Sequence, residues 1–144
     1  MIKIMKAFPL LLMVFSCSTI NYLDLNSKIK EEGHSVSRIF IPSGALVNSF
    51  DYVDNGIKYN IGISSQGKII YISTTDEKFD IDGIKINSKL PEEYWYRKLE
   101  HISGWGYYLK IDSEWFAGFD FQTRPNEESE VEWIFKYDFN EASY

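Results

Sequence analysis

Short segments in which apolar and polar residues alternate are the feature that most constrains how this chain folds. In residues 57–63 (IKYNIGI) an apolar side chain occupies every second position, and the same pattern runs through residues 131–139 (VEWIFKYDF). A period of two residues is typical of a β-strand with one buried face. These two segments therefore predict strands, separated along the chain by about half of its length.

Other segments carry weaker strand signals. Residues 64–67 (SSQG) form a short turn that ends in glycine, so residues 57–74 are predicted to be a hairpin. The remaining predicted strands lie at residues 35–41, 79–86, 107–111 and 115–121. Together these segments predict a mostly antiparallel sheet of about six or seven strands.

One segment has the features of a helix. Ser88 is placed to cap its start, Pro91 suits a first turn, and two glutamates follow near the positive end of the helix dipole. Three apolar residues then share one helical stripe: Trp95, Leu99 and Ile102. We therefore expect an α+β fold, in which one main helix packs on one face of the sheet.

The start of the chain predicts where the protein works. Lys3 and Lys6 precede an apolar run at residues 7–15, and Ser16 and Cys17 follow it. A basic start, a short apolar run and a small residue before the cleavage point are typical of a secretory signal peptide. The run is shorter than the about 20 apolar residues that a transmembrane helix needs.

Residues 14–17 (VFSC) resemble the lipobox of bacterial lipoproteins, with Phe15 bulkier than the usual residue. The resemblance implies cleavage before Cys17, which would then carry a diacylglycerol thioether and an N-acyl chain. Ser18, where an aspartate would retain the protein in the inner membrane, favours the outer membrane. The predicted organisation is a signal peptide at residues 1–16, a lipidated tether at 17–35 and one α+β domain at 36–144. The alternative is an ordinary secreted protein.

Charge and cysteine content narrow the function. The 15 basic residues less the two lysines of the signal leave 13 against 21 acidic residues, a net charge of −8. An acidic domain does not suit the phosphate backbone of nucleic acids. Cys17 is the only cysteine, so its lipidation would leave no thiol for a disulfide, for thiol catalysis or for a cysteine metal site. We expect no cofactor.

A second resemblance covers about a seventh of the chain. Residues 71–90 are similar to a segment of small uncharacterised periplasmic proteins and lipoproteins, in which a strand leads through a glycine turn into a helix. Phe79, Gly83, Ile84 and Ser88 match this segment, and residues 81 and 87 depart from it. The resemblance supports a strand followed by a helix and implies no catalytic residue.

Signals for catalysis and metal binding are weak. The two histidines, His34 and His101, lie in the predicted tether and near the predicted helix end, away from any nucleophile motif. Asp80 and Asp82 match only part of a calcium loop, so no metal site is predicted. A carboxylate pair that includes Glu93 or Glu114 would make the chain a hydrolase, which is the enzymatic alternative.

Aromatic residues make up 17% of the chain, and many lie between residues 94 and 108. We assign Trp95, Phe119, Trp133 and Phe135 to the core. A sheet with one helix cannot bury the others as well, and exposed tyrosine and tryptophan beside acids suit recognition. The predicted aromatic and acidic patch consists of Tyr94, Tyr96, Trp105, Tyr107, Tyr108, Glu93 and Glu114. Alternatively, these aromatic residues only cover the sheet edges.

The sequence therefore predicts a lipid-anchored, acidic binding protein of the bacterial envelope. The lipid on Cys17 would anchor it to the membrane. Its protein partner would be a basic envelope enzyme or toxin that it inhibits. The alternative is a component that binds cell-wall glycan, or peptidoglycan, or that has a structural role in the envelope.

Overall fold

The computed structural model describes residues 23–140, so the predicted signal peptide and Cys17 lie outside the described residues. The described part is nearly all sheet, with eight antiparallel strands that curl into a half-barrel. The strands are β1 (Ser37–Phe40), β2 (Leu46–Asp54), β3 (Ile57–Ile63), β4 (Ile69–Thr74), β5 (Glu100–Ile102), β6 (Gly106–Lys110), β7 (Trp115–Phe119) and β8 (Trp133–Tyr137).

The strand order is β1-β2-β3-β4-β8-β7-β6-β5, which divides the sheet into two four-stranded meanders. After β4 the chain crosses to the far edge through residues 75–99 and then returns strand by strand, so that β8 pairs with β4. The turn at residues 64–67 marks one end of the sheet. At the opposite end β7 finishes and β8 begins, because each strand is antiparallel to its neighbour.

The predicted α+β class is wrong, because the predicted helix at residues 88–102 is absent. Within residues 23–140 the one helical element is a five-residue 3₁₀ helix, Glu92–Tyr96. The Ser88 hydroxyl donates to the carbonyl of Lys85 instead of capping a helix, and Arg97 is extended. The chain then forms β5, which pairs with the edge of β6 and satisfies the backbone hydrogen-bonding groups there. A short helix rich in aromatic residues is only marginally stable, so the strand is favoured over the helix.

Two Gly-containing turns account for other differences from the predicted strands. Residues 79–86 form no strand in the sheet, since Ile81 and Ile84 pair with each other across an Asp-Gly turn. An Asn-Gly turn at residues 55–56 joins β3 to β2, a nine-residue strand that the sequence analysis missed. Both turns place two successive residues at positive φ, as in a type I′ hairpin turn.

Both faces of the sheet are covered, and the one helical element that packs on it in the described part is the short 3₁₀ helix. One face, here called the covered face, lies under residues 23–34 and 75–99. Its core is formed by buried aliphatic and phenylalanine side chains that include Phe50, Ile61, Ile72, Phe79, Ile84, Leu109 and Ile134. The other, here called the aromatic face, buries rings against one another: Tyr71, Tyr108, Phe116, Trp133, Phe135, Tyr137 and Phe139.

The end of the predicted tether is docked on the domain. The Asn26 amide donates to the Ile69 carbonyl at 2.7 Å, and the Ile29 amide donates to the Gly67 carbonyl at 3.0 Å. The His34 ring stacks on Phe50, with 4.5 Å between their centroids. Residues 23–34 therefore pack over β2, β3 and β4 and contribute to the core of the covered face. We call residues 23–34 the docked segment.

Candidate functional site

The structure distributes the predicted aromatic and acidic patch over several places. Trp105 and Tyr108 belong to the aromatic face, whereas Tyr107 lies on the covered face and stacks on His101 at 4.2 Å. Tyr108 is only 8% exposed, and Tyr96 is 81% exposed on the 3₁₀ helix. No single surface brings together all seven predicted residues.

Trp105 connects distant parts of the sheet. It lies between β5 and β6, and its indole Nε1 donates to the Phe40 carbonyl in β1 at 3.2 Å. Its ring makes T-shaped contacts with Tyr71, Tyr108, Trp133 and Phe135, at centroid distances of 5.0–6.4 Å. We therefore interpret Trp105 as a structural residue that holds the curled sheet together.

Tyr94 and Tyr108 line one cavity, which has a volume of about 780 Å³. Its apolar wall includes the stacked rings of Tyr108 and Phe139, whose centroids are 5.0 Å apart. Charged side chains line the rest of this aromatic cavity: Asp82, Arg97, Lys98, Glu100, Lys110 and Asp112. An aromatic wall with a polar rim is typical of a site for a small organic ligand.

Three contacts of Arg97 fix the rim of the aromatic cavity. The Arg97 guanidinium lies 4.3 Å above the Tyr94 ring and donates to the Lys110 and Ile111 carbonyls. Burial raises the pKa of Tyr108, and the nearby Glu100 carboxylate raises it further. The phenol of Tyr108 is therefore neutral at ordinary pH and offers a hydroxyl donor instead of a base.

Glu114 lies in another environment, beside a buried cation that the sequence analysis missed. The Lys136 Nζ is 2.8 Å from the Glu114 carboxylate, 3.5 Å from that of Asp24 and 4.8 Å from the centre of the Trp115 ring. The Lys136 side chain is 8% exposed, and both carboxylates are largely exposed. A buried ammonium needs such partners, so Lys136 links the docked segment to β8.

Glu93 and Tyr96 belong to a surface rich in glutamate. Residues 87–89 run beside residues 130–131 through backbone hydrogen bonds, and Trp95 shares a shallow depression of about 430 Å³ with residues 126–128. The carboxylates of the 3₁₀ helix therefore lie near those of the loop before β8. We call this surface the acidic ridge: Glu92, Glu93, Trp95, Tyr96, Glu127, Glu128 and Glu130.

Few bonds neutralise the acidic ridge. Lys89 lies 2.5 Å from Glu128, and this ion pair lowers the pKa of the Glu128 carboxyl. The Tyr96 hydroxyl donates to Glu92 at 3.0 Å. The buried Trp95 Nε1 has no hydrogen-bond partner among the described residues. Among the described residues the ridge therefore has one ion pair for its five carboxylates, and Tyr96 offers aromatic surface beside them.

A catalytic carboxylate pair, a metal site and a membrane-spanning helix each have their own structural requirements. Glu114 shares a cavity with Lys136 and Glu93 does not, so these two carboxylates do not form a pair there. In residues 23–140 no three His, Cys, Asp or Glu side chains are grouped as metal ligands, and no helix has the length and apolar character needed to cross a membrane.

The chain was compared with known proteins. No protein family model matches it, and no curated sequence or solved structure is significantly similar to it. Its function is therefore inferred from its own residues.

Proposed function

We propose that this chain is a lipid-anchored envelope protein that binds and inhibits a basic enzyme or toxin through the acidic ridge. The single observation that carries the proposal is the concentration of five carboxylates around two aromatic side chains, with one paired lysine among them. Complementary charge speeds encounter with a cationic partner, and aromatic residues supply contact area at low entropic cost.

The position of the acidic ridge supports this function. It lies near the start of β8 and packs Trp95 against Phe119, where β7 ends. The docked segment that would lead to the lipid contacts residues 67–69, at the other end of the sheet. Along β4 and β8, the ridge and the docked segment therefore lie at opposite strand ends.

Charge reversal tests the proposal. We expect the chain to inhibit at least one member of a panel of basic cell-wall hydrolases, and Glu93→Lys with Glu127→Lys to weaken that inhibition at least tenfold. The matched control is Glu32→Lys with Asp54→Lys, which changes the net charge equally at sites outside the ridge. Equal loss in both double variants, or no inhibition of any hydrolase by the parent chain, would contradict the proposal.

The aromatic cavity favours a second function, the binding of cell-wall glycan. Sugar rings stack on aromatic faces, and the Arg97, Lys110 and Asp112 side chains could bond to hydroxyl or carboxylate groups of a glycan. This function predicts that the chain sediments with purified peptidoglycan and that Phe139→Ala reduces the bound fraction. Binding unaffected by Phe139→Ala, or lost equally in the acidic-ridge variant, would exclude the cavity as the site.

A further inference from the structure

A second cavity, of about 1050 Å³, lies at the end of the sheet where the docked segment meets residues 67–69. Asn26, Ile29 and Glu31 form one wall, and the start of β2 with the turn after β3 forms the other. Leu46, at the mouth of this cavity, is the cross-strand partner of Phe40 in β1. We call this cavity, together with the exposed side chains of Phe40 and Leu46 beside it, the tether-end surface.

The tether-end surface exposes two large apolar side chains next to each other. Phe40 is 61% exposed and Leu46 is 38% exposed, and they are adjacent on one face of the β1–β2 hairpin. Ile29 and Val47 add partly buried apolar surface at the cavity. Adjacent exposed apolar side chains of this kind suit contact with a partner or a membrane.

Basic side chains flank the tether-end surface. The Arg38 guanidinium donates to the Leu46 carbonyl at 3.3 Å, and Lys28 pairs with Lys68 beside the cavity. Glu31 is the one acidic residue that lines the cavity, and it accepts a hydrogen bond from Asn48. The cavity lining itself is balanced, with Lys68 against Glu31, and Arg38 and Lys28 beside it add positive charge that suits an anionic partner.

Chain length brings the tether-end surface close to the predicted lipid. Six residues, 17–22, separate Leu23 from the sulfur of the predicted lipidated Cys17 and can span at most about 20 Å when fully extended. Asn26 is itself bonded to Ile69 and lines the cavity. A lipid on Cys17 would therefore hold the bilayer within about 20 Å of Leu23.

We propose that the tether-end surface rests on the anionic phospholipid bilayer into which the lipid of Cys17 inserts. Phe40 and Leu46 enter the headgroup region, and Arg38, Lys28 and Lys68 face lipid phosphates. This inference rests on the lipid anchor of the proposed function. It adds an orientation, in which the end of the sheet that contains residues 67–69 faces the bilayer.

Depth-dependent quenching tests this orientation on the lipidated full chain. Because Cys17 is the only cysteine and its thiol is blocked by lipid, Leu46→Cys provides one free thiol for a fluorophore. Val53→Cys is the matched control, since it lies on the same strand, is 65% exposed and is at the opposite end of β2. The vesicles contain phosphatidylglycerol and a quencher attached to the lipid headgroup.

We expect quenching at position 46 to exceed that at position 53 at least threefold, and the ratio to fall when phosphatidylcholine replaces phosphatidylglycerol. Mass spectrometry of the same samples reports the lipid on Cys17. A lipidated chain with equal quenching at both positions overturns the orientation alone. A bare Cys17 overturns both the anchor and this inference, and a ratio independent of lipid charge overturns the role of the basic residues.

Discussion

Replacing Gly118 by alanine should destabilise the protein through a collision with one aromatic ring. Gly118 lies in β7 opposite Trp133 in β8, and the indole ring covers the position that a Cβ atom would take. A Cβ at residue 118 would lie 2.6 Å from Trp133 Cδ2, whereas ordinary contacts are 3.4–4 Å. The ring would therefore have to move by about 1 Å.

The surrounding structure leaves the Trp133 ring little room to move. Its far edge lies 2.9 Å from the position of a Cβ on Gly106, and the Trp105 ring contacts it at a centroid distance of 5.5 Å. Overpacking of this kind costs about 3 kcal/mol. The lower entropy of the unfolded chain with alanine offsets about 1 kcal/mol. The expected net loss in the free energy of unfolding is about 2 kcal/mol.

Thermal and urea unfolding, followed by circular dichroism, measure this loss. For the 118 described residues, about 2 kcal/mol corresponds to a decrease in Tm of about 8 °C. The control is the same substitution in a Trp133→Leu background, where the ring is gone and the added methyl group should cost less than about 0.5 kcal/mol. A stable Gly118→Ala variant, or an equal penalty in both backgrounds, would refute the proposed collision.

Three further predictions concern contacts between distant residues. Trp105→Phe keeps a ring but removes the bond to the Phe40 carbonyl, so unfolding in urea should show a loss of about 1 kcal/mol; no loss would contradict a role for this bond. Backbone amides lower the pKa of Asp76 below 3.8, so its contribution to stability is present above pH 3.8 and disappears as the pH falls through the lower folded value. Between about pH 5 and pH 2, the Tm of Asp76→Asn should therefore fall less than the Tm of the parent chain. Parallel curves of Tm against pH for the two proteins would show that Asp76 does not contribute to the pH dependence of stability. Lys136→Met should accelerate hydrogen exchange at residues 26–29, because it removes the cation beside Asp24; unchanged exchange there would show that the ion pair does not hold the segment.

Individual strands were well predicted because their signals are local. Residues 57–63 coincide with β3, and the predicted segments at 68–74, 107–111 and 115–121 contain most of β4, β6 and β7. Alternation reports which side chains face a core, and a short glycine turn limits how two strands can pair. The Asn-Gly turn at residues 55–56 carried the same kind of local signal and would have revealed β2.

The helix prediction failed because its local signals compete with a long-range pairing. The apolar stripe of Trp95, Leu99 and Ile102 fits a helix, but Ile102 pairs with Gly106 at the sheet edge, and Leu99 and Trp95 pack on the core of the covered face. Neither the open edge of β6 nor the core that receives these side chains is visible in a window of 15 residues. Tertiary packing therefore overrides a helical pattern of only four turns.

The candidate sites depended even more on the tertiary structure. Composition alone determined the net negative charge, the single cysteine and the abundance of aromatic residues, because these are counts. Only the folded chain decided that Glu93 and Tyr96 join the acidic ridge while Trp105 reaches Phe40, 65 residues away. Such contacts depend on how the sheet curls and on where residues 75–99 cross it. Both features arise from the packing of the whole chain, so no local pattern of residues encodes them.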